Sequence, residues 1–216
     1  MLLGGIPLSA GEPPVSFSRD VMAVLSKSGC NMGACHGNQN GKGGFKLSLR
    51  GEDPEFDFLA LTREQSGRRL NLAEAAASLV LRKPTQQLAH EGGRRFAVDS
   101  PEYQLVHDWI AAGAPHDAGD LPRLTGLDVA PRAQILVAPE SQVQLNVTAT
   151  FADGSRRDVT RLAVYEPSNT GVTITPQGLV ERTREGETTV LVRYLAQQVP
   201  VRLAFVAGGV HLGITA

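Results

Sequence analysis

The stretch Ala111-Ala112-Gly113-Ala114-Pro115-His116-Asp117-Ala118-Gly119-Asp120-Leu121-Pro122-Arg123-Leu124 divides the chain into two parts of different character. Its Gly, Pro and Asp content is that of a linker. Lys27, Lys42, Lys46 and Lys83, both cysteines and the single Trp precede residue 118; the remainder uses arginine as its only long basic residue. The spacing of apolar residues also changes there, from a helical period to a period of two. The boundaries expected are a flexible leader over 1–13, a first domain over 14–118, a second over 119–207 and a tail over 208–216.

Working back from the linker, Asp99-Ser100-Pro101-Glu102 announces a helix, with a cap residue and then proline in the first turn; YQLVHDWIAA continues it, and Gly113 and Pro115 stop it. Ser18 is positioned to cap another helix through about Ser28, with Val21, Val24 and Leu25 on one face, and Asn71 to cap a third over NLAEAAASLVLRK, ended by Pro84. Three helices would then enclose a Gly-rich middle. Working forward, QILVAP, SQVQLNVTATFADGSRRDVT, GVTITPQGLVERT and GETTVLVRYLAQQVPVRLAFV are rich in Val, Thr and Ile. They are punctuated by Asp153-Gly154, Gln177-Gly178 and Glu185-Gly186, which reads as a small antiparallel sandwich. The fold class expected is multi-domain α plus β: a small, mostly helical domain, then an antiparallel β-sandwich.

The chemically informative segment is Ser28-Gly29-Cys30-Asn31-Met32-Gly33-Ala34-Cys35-His36-Gly37. A Cys pair with His immediately after it is the pattern for covalent haem attachment, with two thioethers to the porphyrin and the imidazole on iron. The spacer here has four residues instead of two, and Gly33 and Ala34 make the extra bend inexpensive. Three other readings stand beside it: a local disulfide, half of a zinc site, and two inert thiols. A zinc finger would need a second thiol pair or differently spaced histidines.

If haem is bound, a second axial ligand is required for a closed site, and Met and His are the usual ones. Met1 lies in the leader, Met22 on the core side of the first helix and Met32 inside the attachment loop, so histidine is expected. His90 sits in a loop beside Gly92 and Gly93, where backbone can approach a flat ring. His107 is offset from the apolar stripe of its helix, His116 is in the linker and His211 in the tail. His36 and His90 are therefore the expected metal ligands. The pairs Arg68-Arg69 and Arg94-Arg95 offer guanidinium forks suited to haem propionates.

A formal net charge of -1 removes the global basic field that nucleic-acid or polybasic membrane binding requires. No apolar run reaches the roughly 18 residues of a membrane-spanning helix. The opening MLLGGIPLSAGEPP is open to two readings, a trimmed signal remnant or a plain leader. The ending GGVHLGITA suggests an excerpt of a longer protein.

VSFSRDVMAVLSKSGCNMGACHGNQNGKGGFKLSLRGEDPEFDFLAL, KPTQQLAHEGGRRF and SPEYQLVHDWIAAGAP together resemble the planctomycete-type cytochrome c domain of large secreted proteins, over roughly Pro14 to Asp117. The second half, through FADGSRRDVT, the GLV strand and the G-x-x-T-V strand, is similar to the bacterial Ig-like domain of the group-2 type. The resemblance implies one covalently bound haem c on Cys30, Cys35 and His36, with a weaker carry-over to His90. It also implies an extracytoplasmic (periplasmic or secreted) location, since covalent attachment implies haem loading outside the cytoplasm, where two free thiols would otherwise be oxidised.

The function expected is one-electron transfer through a bis-His haem, with an Ig-like spacer; redox proteins or downstream domains of the same polypeptide would be its partners. This is an electron-transfer domain rather than a catalyst. Two alternatives accompany it: an open-site haem enzyme or gas sensor, and a secreted binding module without haem that carries a Cys30–Cys35 disulfide.

Overall fold

The computed structural model describes residues 14–117, 119 and 121–208. The leader 1–13, the tail 209–216 and with it His211 lie outside the described residues, as does Met1. Among the described residues, helix accounts for only 23%, against ten strands in three sheets. The expectation of a mostly helical cytochrome-like domain and an antiparallel Ig-like sandwich is thereby corrected: the molecule is mainly β.

The first part is built from short helices held by local caps. A π-turn over Phe17–Val21 runs directly into α1 (Met22–Lys27), and the Ser16 side chain, not that of Ser18, caps it by accepting from the Arg19 N–H. Asp117 completes this start across the fold, its two carboxylate oxygens accepting from the Phe17 and Ser18 N–H groups at 2.9 and 2.8 Å. These hydrogen bonds hold the Asp117 carboxyl below the usual carboxylate range against the opposing effect of burial.

Helix α2 (Pro54–Thr62) is capped by Asp53, with proline in its first turn. It is a helix beyond the three expected from sequence. The long helix expected after Asn71 does not form. Asn71 Oδ1 accepts from the Ala73 and Glu74 N–H groups, the Ser78 hydroxyl accepts the Asn71 N–H, and a 3-10 turn (Ala75–Ala77) precedes the single turn of α3 (Leu79–Arg82). Side-chain hydrogen bonds compete with the helical ladder and break it. Helix α4 (Pro101–Ala111) is as expected, with Ser100 capping it.

Phe17, Phe58 and Trp109 form the aromatic centre of this part, with ring centroids 5.1 to 6.4 Å apart. Trp109 is fully buried and donates its indole N–H to the Pro115 carbonyl at 2.9 Å.

The second part holds β1 (Leu124–Ala130), β2 (Ala133–Val137), β3 (Gln142–Gln144), β4 (Asn146–Phe151), β5 (Arg156–Asp158), β6 (Val164–Pro167), β7 (Val172–Ile174), β8 (Leu179–Arg182), β9 (Gly186–Tyr194) and β10 (Gln197–Val206). The sheet orders are β1-β4-β5, β2-β10-β9-β6 and β3-β8-β7. All pairings are antiparallel except β10 with β2, which is parallel. Alternation sets the core: Val199, Val201, Leu203 and Phe205 of β10 are buried and pack with Val190 and Val192 of β9.

The two parts meet along the first helical segment. Ala23 belongs to the β core, and Leu162 and Leu195 pack against both cores. Tyr194 donates its hydroxyl to the Arg19 carbonyl at 3.0 Å, Arg157 pairs with buried Asp20, and Arg19 lies 4.2 Å over the Phe151 ring while donating to the Pro122 carbonyl. Lys27 donates its ammonium to the carbonyls of Arg161 and Pro176.

Candidate functional site

The Cys–His segment leaves the end of α1 as a coil of tight turns. The Cys30 N–H bonds back to the Leu25 carbonyl, the His36 N–H to the Cys30 carbonyl, and the Gly37 N–H to the Met32 carbonyl. Only glycine fits at 37, because a Cβ there would lie 2.1 Å from the Asn31 carbonyl oxygen. The coil thereby brings Cys30, Cys35 and His36 to one wall of a cavity of about 500 Å³.

His90 occupies the facing loop. Its ring centroid is 6.3 Å from that of His36, and the two planes are 14° from parallel. His36 Nδ1 lies 2.9 Å from the Phe45 carbonyl and His90 Nδ1 lies 2.9 Å from the Gly93 carbonyl. A carbonyl can only accept, so each Nδ1 carries a proton and donates, and Nε2 is the nitrogen left for any further partner. Burial, the larger cause, lowers the His36 pKa and favours the neutral form, with the neighbouring His90 adding to it; the Phe45 hydrogen bond opposes. Glycine at 92 allows the arrangement, since a Cβ there would meet His90 Cε1 at 2.8 Å.

The thiols differ. Cys30 is 9% exposed, and burial pushes its pKa up to about 12. Cys35 is half-buried, and the Arg95 guanidinium lies 3.4 Å from its sulfur. Both are free.

Val24, Leu25, Leu79, Val80, Phe96 and Val106 give the cavity its apolar walls; Lys42, Arg68, Arg69, Lys83 and Arg95 bring cationic side chains to it, with Glu91 as the one acid. The four expected arginines fare differently. Arg68 is exposed at the cavity, and Arg95 lines it. Arg69 also lines it but is 6% exposed and occupied: it pairs with Glu64 at 3.3 Å, donates to the carbonyls of Ala60 and Gly44, and stacks 4.3 Å over Phe45. Arg94 is exposed and does not line the cavity. Lys42 and Lys83 are not among the residues expected from sequence; their only signal there is position, beside GGF and beside the His90 loop. His107 pairs with Asp108 on the outside of α4, and His116 pairs with Glu55 at 2.8 Å against Phe58, so neither is at the cavity. Met22 is in the core and Met32 is exposed.

No protein-family profile matches the chain, and no curated protein matches it. Solved structures that overlap it include domains of the surface-layer protein SbsC. Domains 5–6 show 20% identity over 41% of this chain and 47% of that one, with a TM-score of 0.35. Domains 4 and 5 show 22% identity over 40% and 54%, at 0.28. Domains 1–6 show 24% identity over 41% and 14%, at 0.29. The chain thus spans about half or less of the solved chains it overlaps.

The expectation of a one-electron c-type cytochrome is corrected: among the described residues no group of three or more His, Cys, Asp or Glu side chains is arranged to hold a metal ion.

Proposed function

We propose that this chain is an extracytoplasmic structural and binding module: the β sheets serve as a support, and the cavity beside α1 takes a flat, anionic ring. The observation that carries this reading is the cavity itself, with two parallel imidazoles facing each other and cationic side chains around apolar walls. A planar apolar body with acidic substituents fits those walls, and lysines and arginines complement its acids. The resemblance of the first part to domains of secreted proteins supports the location outside the cytoplasm. No helix among the described residues is long and apolar enough to cross a membrane.

For the cofactor we propose haem c. The residues fit it: His36 and His90 each have Nδ1 engaged by a backbone carbonyl and Nε2 left for a further partner, Cys30 and Cys35 supply two free thiols at the cavity, and Arg68 and Arg95 suit its carboxylates. Bound there, it would supply an iron centre, and His36 and His90 are the residues that would hold it. The residues themselves would hold and orient the ring, with the two backbone carbonyls fixing each imidazole tautomer.

The test is absorption titration of the purified chain with protoporphyrin IX and with haemin, joined to mass spectrometry of protein co-expressed with a haem-attachment system. Saturable one-to-one protoporphyrin binding, weakened at least tenfold in an Arg68→Gln/Arg95→Gln double variant, is expected. Absence of binding overturns the pocket reading. A haem-sized mass increment lost in Cys35→Ser is expected for the cofactor; recovery of two thiols or a Cys30–Cys35 disulfide in their place overturns haem and leaves the planar-ligand reading to the titration.

A further inference from the structure

The β part holds a second cavity, of about 230 Å³. Its rim is made by two turns, one between β6 and β7 and one between β8 and β9. They are tied to each other: the Gly171 carbonyl accepts the N–H groups of Thr183 and Arg184 at 2.9 and 3.3 Å, and the Thr170 carbonyl accepts the Thr183 hydroxyl at 2.8 Å. Asn169 fixes the rim to β9, its Oδ1 accepting the Gly171 N–H at 2.8 Å and its Nδ2 donating to the Glu187 carbonyl at 3.0 Å. Glycine at 171 keeps the opening clear, because a Cβ there would lie 2.8 Å from Asn169 Oδ1 and 3.6 Å from Arg184 Nε.

Thr188 lines this cavity from β9, on the face that carries Val190 and Val192 into the β core. It is 4% exposed, and its hydroxyl oxygen is buried with no hydrogen-bond partner among the described residues. Leu203 stands opposite it on β10, and buried Val172 and Phe205 line the same space, so these neighbours offer no side-chain donor or acceptor. A hydroxyl taken out of water without a partner is unfavourable where valine would fill the same shape. Its place at a cavity points to a polar group that enters from outside. At the mouth, Arg184 and Glu187 are exposed and make no ion pair within 4 Å among the described residues, whereas Glu185 pairs with Arg182 at 3.9 Å.

The volume is several times the roughly 30 Å³ share of one liquid water, and it is below the roughly 300–1,000 Å³ of clefts for larger ligands. It suits one small ring. Val172 and Phe205 offer apolar contact to C–H groups, while a hydroxyl, a guanidinium and a carboxylate supply donors and acceptors around them. A neutral pyranose has the complementary character, with an apolar C–H face and hydroxyls at its edge that both donate and accept. A free anion would meet Glu187, and a free cation would meet Arg184.

We infer that this cavity binds a single neutral sugar ring, with the Thr188 hydroxyl as the deepest hydrogen-bonding group and Arg184 and Glu187 at the mouth. The site belongs wholly to the β part and is independent of the Cys–His cavity.

The experiment is saturation-transfer NMR and calorimetric titration of the whole chain with glucose, galactose, mannose and N-acetylglucosamine, with glycine as a zwitterionic control. Saturable binding of at least one sugar, and none of glycine, is expected. Thr188→Val keeps the side-chain shape and should lower that affinity about tenfold or more, with the melting temperature unchanged or raised. The double variant Arg184→Gln/Glu187→Gln, at exposed positions, should also weaken it severalfold, and protoporphyrin titration should be the same in both variants as in wild type. A panel without saturable sugar binding overturns the site, and so does a sugar affinity that either variant retains; saturable glycine binding overturns the sugar class.

Discussion

At the scale of single residues, the cavity depends on atoms that admit little replacement. His90 is held by the Gly93 carbonyl and by the lack of a side chain at 92. Gly92→Ala puts a methyl 2.8 Å from the ring, so the imidazole must move. We expect protoporphyrin affinity to fall about tenfold or more in Gly92→Ala with the melting temperature changed little, as read by the absorption titration and by calorimetry. Asp57, in α2, accepts from the Ser48 N–H at 2.6 Å and the Ser48 hydroxyl at 2.7 Å, yet burial raises its pKa to about 6. Between the ordinary value of 3.8 and about 6 the folded chain binds this proton and the unfolded chain does not. Raising the pH through that window therefore favours unfolding. Denaturant unfolding should show stability falling from pH 4 to 6, and Asp57→Asn should flatten the fall.

At the scale of elements, caps decide which segments become helices. Ser100 before Pro101 announces α4, and the same signal at Asp53-Pro54 starts α2, whose apolar residues do not gather on one face and so give no helical period to read. Loss of a cap hydrogen bond costs about 1 kcal/mol. Asp53→Ala and Ser100→Ala should each lower unfolding stability by about that amount in urea, and the double variant by their sum, since the two caps share no hydrogen-bond partner. Asn71 carries a cap signal too, but its side chain closes a turn and Ser78 takes its N–H, so the alanine-rich run yields only a 3-10 turn. The hairpin punctuation is legible in sequence: Gly154, Gly178 and Gly186 have φ of 80°, 83° and 127°, where glycine carries no steric penalty.

At the scale of the whole molecule, the first helical segment serves two neighbours at once. Val24 and Leu25 face the cavity, while Ala23 and Lys27 face the β sheets. Burial, against the favourable field of Glu102, pulls the Lys27 amine down to about 8, and Arg161 adds to the fall. Between about 8 and 10.5 the unfolded chain holds this proton and the folded chain has released it, so raising the pH favours the folded, docked state. Stability should climb from pH 8 to 10, and Lys27→Met should remove the climb. Tyr194→Phe removes the bond to the Arg19 carbonyl and should cost about 1 kcal/mol. Because α1 also walls the cavity, the same variant should weaken protoporphyrin binding measurably, which the titration reads directly.

The sequence by itself determined the turns of the β part and the capped helix after Ser100. These are local properties: periodicity, φ preference and side-chain spacing act within a few residues. Tertiary structure alone decided that the chain is mainly β, that β2 runs parallel to β10, and that His90 and not His107 or His116 faces His36. It also decided that Arg69 is consumed by Glu64 and carbonyls while Lys42 and Lys83 reach the cavity, and that the Thr188 hydroxyl is buried without a partner among the described residues. Each of these depends on which distant residues come into contact, and that is set by how the two cores close on one another rather than by any pattern along the chain.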